Sequence, residues 1–286
     1  MLPKPTSHSA AIGPGCAGPS MANPSTAGLD QPAGHALQRP SCGSEAFMVD
    51  PSALAAGGGT RKHTQYPYVT GTSVLGITYK DGILLASDTL GAYGSTKRYK
   101  SFQRLTKVNN CTVLGAGGEL SDYQYIVRLL EELADDDFCM DDGHHMKPAE
   151  VFSYLTRVIY NRRNKMDPLW NSLVVGGWYA GKPFLGSIGM IGTHFTDNTV
   201  ATGFGNHLAR PILREKHRPD MSEEEARALL RECLTVCYYR DKNSINRFQI
   251  ARVSAEGVDL GEPFALPTNW DHALFRDPAA HAVGTW

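Results

Sequence analysis

Three stretches of this sequence carry residue types able to hold a metal, a reactive thiol or a dinucleotide. Asp141-Asp142-Gly143-His144-His145 places carboxylates and imidazoles side by side, but it falls in a polar stretch between two expected helices, where a solvated loop is the simpler account. Cys233 and Cys237 stand one helical turn apart, as metal ligands can. No second Cys or His pair shows matching spacing, so both are expected to be core thiols. Gly203-Phe204-Gly205-Asn206-His207-Leu208 begins like a dinucleotide loop, yet its third glycine is Leu208 and no parallel strand-helix-strand unit surrounds it. None of the three implies a metal or an organic cofactor.

The chain of 286 residues has 42 % apolar and 20 % charged residues, the balance of a globular protein with a sizeable core. A formal net charge of −1 excludes the basic footprint of a nucleic-acid binder. No run approaches the ~18 apolar residues of a membrane-spanning helix, and the chain start lacks the apolar block of a secretory signal, so a cytoplasmic and nuclear location is expected. The cysteines Cys16, Cys42, Cys111, Cys139, Cys233 and Cys237 are too scattered for a disulfide framework.

Residues 1–63 are rich in Ala, Gly, Ser and Pro without an apolar period, and are expected to form a flexible leader or propeptide. The texture changes at Val69. Asp81-Gly82 between Val74–Tyr79 and Ile83–Asp88 predicts a hairpin, and the unbroken apolar character of the second run predicts a strand buried on both faces. Strands are expected again at Arg104–Val108 and Cys111–Gly115. Two helices follow, one with Ser121 and Gln124 as a capping box and an end at the acidic run Asp135–Asp137, the other from Pro148 to Arg163. A second hairpin spans Leu173–Ile188 around Ala180-Gly181-Lys182. A short helix is expected near Asn206, a longer one after the capping box Ser222 to Glu225, and a closing hairpin over Phe248–Leu260. Strands, two helices, strands, two helices, strands is the order of an α+β four-layer αββα sandwich, with two antiparallel sheets flanked by helices.

Gly71-Thr72-Ser73-Val74, Gly82-Ile83-Leu84-Leu85-Ala86-Ser87-Asp88, Gly115-Ala116-Gly117-Gly118 and Tyr239-Arg240-Asp241 resemble successive landmarks of proteasome β subunits, which have the N-terminal-nucleophile hydrolase fold. The resemblance covers about Thr64 to Leu260. Within the family, the segments 64–74, Met166–Asn171 and Asn246–Ala251 are most similar to the non-catalytic subunit at the seventh position of the β ring.

Active members use a chain-terminal threonine whose own α-amine takes the proton of the attacking hydroxyl. The resemblance puts Thr72 at that position, Asp88, Asp241 and Ser244 at retained site positions, Arg104 at the position of the catalytic lysine and Phe204 at that of a site serine. A guanidinium, with a pKa above ~12, cannot relay a proton as an ammonium can. Ile245 and Asn246 replace a glycine pair of active members. The resemblance also implies cleavage between His63 and Thr64, which leaves residues ahead of Thr72 and acylates its nitrogen. The expected site is therefore degenerate and the chain is expected not to be an enzyme. The alternative is a self-processing threonine endopeptidase with Thr72 as nucleophile. Read without the family, Asp88 pairs with Arg104 in the core, and Asp241 and Ser244 cap a helix end and shape a loop.

The function implied is structural, within the 20S core particle that serves ubiquitin-dependent protein degradation. The partners implied are lateral β subunits, the opposite β ring and the adjacent α ring, without nucleic acid or membrane. The core is expected over 64–260, and 261–286, with Pro263, Pro267 and Trp270, as an arm toward the opposite ring. Tyr238, Tyr239 and Trp270 are aromatic anchors for partners or core.

Overall fold

The unbroken apolar run around residue 85 sets the centre of the molecule. In the computed structural model, which describes residues 66–143, 145–271, 273–277 and 279, strands β2 (Val74–Tyr79) and β3 (Gly82–Asp88) are antiparallel neighbours, buried at every position. They lie in a five-stranded sheet ordered β11 (Thr199–Ala201), β2, β3, β12 (Phe248–Ser254) and β13 (Gly257–Leu260). Alternate side chains of β3 serve different layers, as the pleat requires. Ile83 and Leu85 meet Val113, Val174 and Leu185 of the second sheet, while Leu84 and Ala86 pack with Leu230, Cys233 and Leu234 on the helical side.

The second sheet has eight strands, running β10 (His194–Thr196), β9 (Lys182–Ile188), β8 (Asn171–Tyr179), β7 (Thr112–Glu119), β1 (Val69–Gly71), β4 (Gly91–Tyr93) and β5 (Thr96–Tyr99), with β6 (Leu105–Asn109) also paired to β7. Its outer face is covered by α1 (Leu120–Met140) and α2 (Pro148–Asn164) through Ile126, Leu130, Leu155 and Ile159. The outer face of the five-stranded sheet carries α3 (Gly205–Leu208), α4 (Arg210–Lys216) and α5 (Glu223–Arg240). The four layers expected from the order of elements are thus present.

Several local expectations are corrected. The turn between β2 and β3 is Lys80–Asp81, and Gly82 opens β3 opposite Tyr79. Glycine is needed there because a Cβ would strike the Val253 carbonyl. Helix α1 is capped by Glu119, whose side chain accepts from the Ser121 N–H, rather than by Ser121. It also runs past the acidic triplet to Met140, closing on Asp141 at φ 46°. The expected turn at Ala180-Gly181-Lys182 is a two-residue turn with positive φ at Ala180 and Gly181, and Lys182 already belongs to β9.

After β13 the chain folds back. Phe264 exchanges backbone hydrogen bonds with Phe248, and the Asn246 side chain both donates to and accepts from the Leu266 backbone. The Tyr239 hydroxyl accepts from the Asn269 N–H, and the Trp270 ring lies edge-on to Tyr238 and Tyr239. The segment 261–270 therefore lies on the body, and α6 (Ala273–Arg276) follows it. The expected leader 1–63, the positions His63 and Thr64, and the residues Cys16, Cys42 and His144 are outside the described residues.

Candidate functional site

Strand β7 has two partners along one flank. β6 pairs with it from Thr112 to Gly115, β1 pairs at Gly118 and Glu119, and the other flank belongs to β8. The buried Arg104 side chain lies at the junction between β6 and β1, with no exposed surface. Its Nε donates to the Ala116 carbonyl at 3.1 Å, and one terminal nitrogen donates to the carbonyls of Thr72 and Ser73, the latter at 3.1 Å. The other terminal nitrogen forms an ion pair with Asp88 at the end of β3. One guanidinium thus ties β7, the link between β1 and β2, and β3. Its planar fork is suited to several fixed acceptors at once, which a point ammonium is not.

The second Asp88 oxygen accepts from the Ile245 N–H at 3.3 Å. Burial is the largest influence on this carboxyl and raises it to about 6, against the lowering effects of Arg104 and of the Ile245 N–H.

Thr72 follows β1 directly. Its hydroxyl donates to Asp241 at 2.5 Å, and the other Asp241 oxygen accepts from the Asn243 N–H at 2.9 Å. Asp241 is the C-terminal cap of α5, and Ser244 Oγ donates to its carbonyl at 3.1 Å, so Ser244 shapes this loop. Thr72, Gly117, Gly118, Ser172, Phe204 and Asn243 line a cleft of about 290 Å³. Phe204 is 58 % exposed at its rim. The structure therefore brings together Thr72, Asp88, Arg104, Asp241 and Ser244, and sets Phe204 beside Thr72 as a ring without a donor or acceptor.

The family model for proteasome subunits matches residues 68–253. The chain belongs to the proteasome subunit family. Of curated members, it is 52 % identical to proteasome subunit beta type-4 of Arabidopsis thaliana over 79 % of this chain and 92 % of that protein. It is 46 % identical to proteasome subunit beta type-4 of Xenopus laevis, over 76 % of this chain and 90 % of that protein. Identity to proteasome subunit beta type-7 of Saccharomyces cerevisiae is 39 %, over 68 % of this chain and 77 % of that protein.

Two features of this proteasome subunit were missed in the sequence. Glu119 caps α1 and also accepts from the N–H groups of Tyr68 and Val69, so one carboxylate fixes both a helix start and the chain ahead of Thr72. An acidic residue directly before the helix was its only signal. Gly71 stands in the first of the landmark segments, directly ahead of Thr72. Here it is required by space, because a Cβ would lie 2.5 Å from Arg104 Nε and 2.9 Å from its Cζ. Gly71→Ala is expected to cost about 1–3 kcal/mol by overpacking, seen as a lower thermal midpoint of the purified chain; an unchanged midpoint would show that the guanidinium can yield.

The other motifs take plain places in this subunit. Cys233 and Cys237 face the core, and burial pushes both thiols up to about 12. They are expected to resist iodoacetamide in the folded protein while the exposed Cys139 reacts; comparable labelling of all three by peptide mass would contradict this. Gly203 at φ 58° ends the short link after β11, an antiparallel strand, and Gly205 starts α3, with its N–H donating to Ser73 Oγ at 2.8 Å. Asp141 and Asp142 lie in the loop after α1. Among the described residues, no group of three His, Cys, Asp or Glu is placed to hold a metal, and no helix is long and apolar enough to cross a membrane.

Proposed function

We propose that this chain is a non-catalytic structural subunit of the 20S proteasome core, working by filling one slot in a β ring whose neighbours carry the threonine protease chemistry. The observation that carries this reading is the paired strand directly ahead of Thr72. Residues 69–71 form β1, held between β7 and β4, with Thr70 opposite Glu119 on one side and Ala92 on the other. The nitrogen of Thr72 is then an amide, which has no basic lone pair to accept the hydroxyl proton, and β1 fills the slot into which an extended peptide would add beside Thr72. Arg104 cannot substitute as a proton relay, since its guanidinium stays charged and all its directions are taken by fixed acceptors.

The same reading places the chain beside lateral β subunits, the opposite β ring and the adjacent α ring, in cytoplasm and nucleus, with no cofactor. It has the leader removed between His63 and Thr64, a core of 64–260 and a C-terminal arm. In this reading the arm is 261–286, and its first part, 261–270, runs along the body before any reach toward the opposite ring.

The test is Thr72→Ala in the assembled particle. Hydrolysis of each class of fluorogenic peptide is expected to match the unsubstituted particle. Loss of one activity on this change alone, together with a mature start at Thr72 by N-terminal sequencing, would establish the self-processing endopeptidase instead.

A further inference from the structure

The eight-stranded sheet ends at β5, a short edge strand whose charges discourage indiscriminate pairing. β5 pairs only with β4 among the described strands, and all four of its residues are exposed. An open edge presents unpaired N–H and C=O groups along one side, a template for another extended chain.

This edge is also strongly cationic. Lys97, Arg98 and Lys100 project from β5 and the residue after it, Lys97 and Arg98 on opposite faces of the strand with Arg98 over the Tyr99 ring, and the loop that follows α5 meets this segment at Lys97 and Ser101. Lys97 Nζ donates to the Ser244 carbonyl at 2.7 Å, and Arg247 donates to Ser101 Oγ at 2.8 Å. Those contacts bring exposed Arg247 onto this segment, and exposed Arg240 and Lys242 stand in the same turn of chain, within four residues of Ser244. None of the six cations forms an ion pair with a described carboxylate. Asp88 and Asp241, whose backbone or side chains meet this loop, are buried and already engaged with Arg104 and Thr72. Elsewhere on the same chain cations are paired, as Arg227 is with Glu223 and Lys216 with Glu232. A chain with net charge −1 thus carries, on β5 and the loop after α5, six positive charges that form no ion pair among the described residues.

We infer that β5 and the loop after α5 form a docking surface for an acidic extended segment of a neighbouring subunit, which pairs along β5 and places carboxylates against Lys97, Arg98, Lys100, Arg240, Lys242 and Arg247. This deepens the structural role proposed above and rests on it. A peptide partner is favoured over a nucleic acid because the exposed strand edge offers backbone pairing that only a polypeptide completes. Complementary charge of this density steers association and rejects wrong neighbours more than it adds raw affinity.

The test uses the assembled particle isolated through this chain. A carbodiimide is expected to join Lys97, Lys100 or Lys242 to Asp or Glu of another subunit, and an amine-reactive label is expected to reach these lysines in the free chain but not in the particle. Equal labelling in both, with no inter-subunit cross-link, would overturn the surface while leaving the structural role intact. Absence of the chain from any particle would instead overturn the structural role. Nucleic acid cross-linked to this edge by ultraviolet light would also count against the inference. As a second arm, the triple change Arg98→Glu, Lys100→Glu and Lys242→Glu is expected to lower incorporation at least about tenfold, with the fold kept by circular dichroism. Incorporation equal to the unsubstituted chain would reject the proposal.

Discussion

Arg104→Met is expected to destabilise the protein by about 3–5 kcal/mol, because it leaves Asp88 as an unpaired carboxyl in the core and orphans the carbonyls of Thr72, Ser73 and Ala116. Denaturant unfolding of the purified chain reads this directly. The sign of its pH dependence follows from the Asp88 carboxyl. That group titrates at about 6 when folded, above its unfolded value near ~3.9, so the folded state binds the proton more tightly. Stability from this group is full below ~4 and falls as pH rises to about 6. Removing the Arg104 charge takes away a lowering influence, so the folded value climbs further and the loss continues to higher pH. The variant is therefore expected to be closer to the parent at pH ~5 than at pH ~8. A deficit independent of pH would show that the carboxyl is not the group left in difficulty. The double variant Asp88→Asn, Arg104→Met should recover part of the loss, since it removes the isolated charge as well as its partner.

Glu119→Ala is the second large effect, expected at about 2–4 kcal/mol, since hydrogen bonds to a charged acceptor contribute about 1.5–3 kcal/mol each and several are lost together. The carboxylate holds Tyr68, Val69 and Ser121 at once, so its removal releases β1 and uncaps α1 in one step. Hydrogen exchange should accelerate at residues 68–71 and in the first turn of α1 and stay unchanged in β12. Faster exchange in α1 alone would mean that β1 is held by its strand pairing and not by Glu119. Glu119→Gln keeps the acceptor oxygen but not the charge, and is expected to fall between the two.

The elements that were legible in the sequence are those whose whole length carries one pattern. The run Ile83–Asp88 is apolar throughout because both its faces are covered, and α2 and α5 show their apolar faces over four or more turns with Pro148 and Ser222 marking their starts. The strands β1, β4, β5, β10 and β11 are three or four residues long, too short for alternation to be told from chance; β1, β10 and β11 each pair with a longer strand, and β4 and β5 extend the sheet outward from β1. The capping of α1 was misplaced for a related reason. Ser121 and Gln124 satisfy the local pattern, but the long-range demand of Tyr68 and Val69 for an acceptor selects Glu119.

The site was legible by composition and not by arrangement. Arg104 in place of lysine and Phe204 in place of serine stand in the sequence itself. That Arg104 also fills the space a side chain at Gly71 would need, and that the chain ahead of Thr72 becomes a sheet strand, are facts of three-dimensional neighbourhood. No one-dimensional spacing encodes them, because residues 71, 104 and 118 meet only when β1 and β6 have both paired with β7.

Strand β1 makes the history of the polypeptide's front end a matter of architecture. The β4–β5 hairpin reaches the rest of its sheet through those three residues, which act as a splint between β4 and β7. A protease that trimmed the chain back to Thr72 would not merely expose an amine. It would open a one-strand gap and loosen the hairpin that lies outboard of it, so the length of the retained overhang fixes how firmly that hairpin stands.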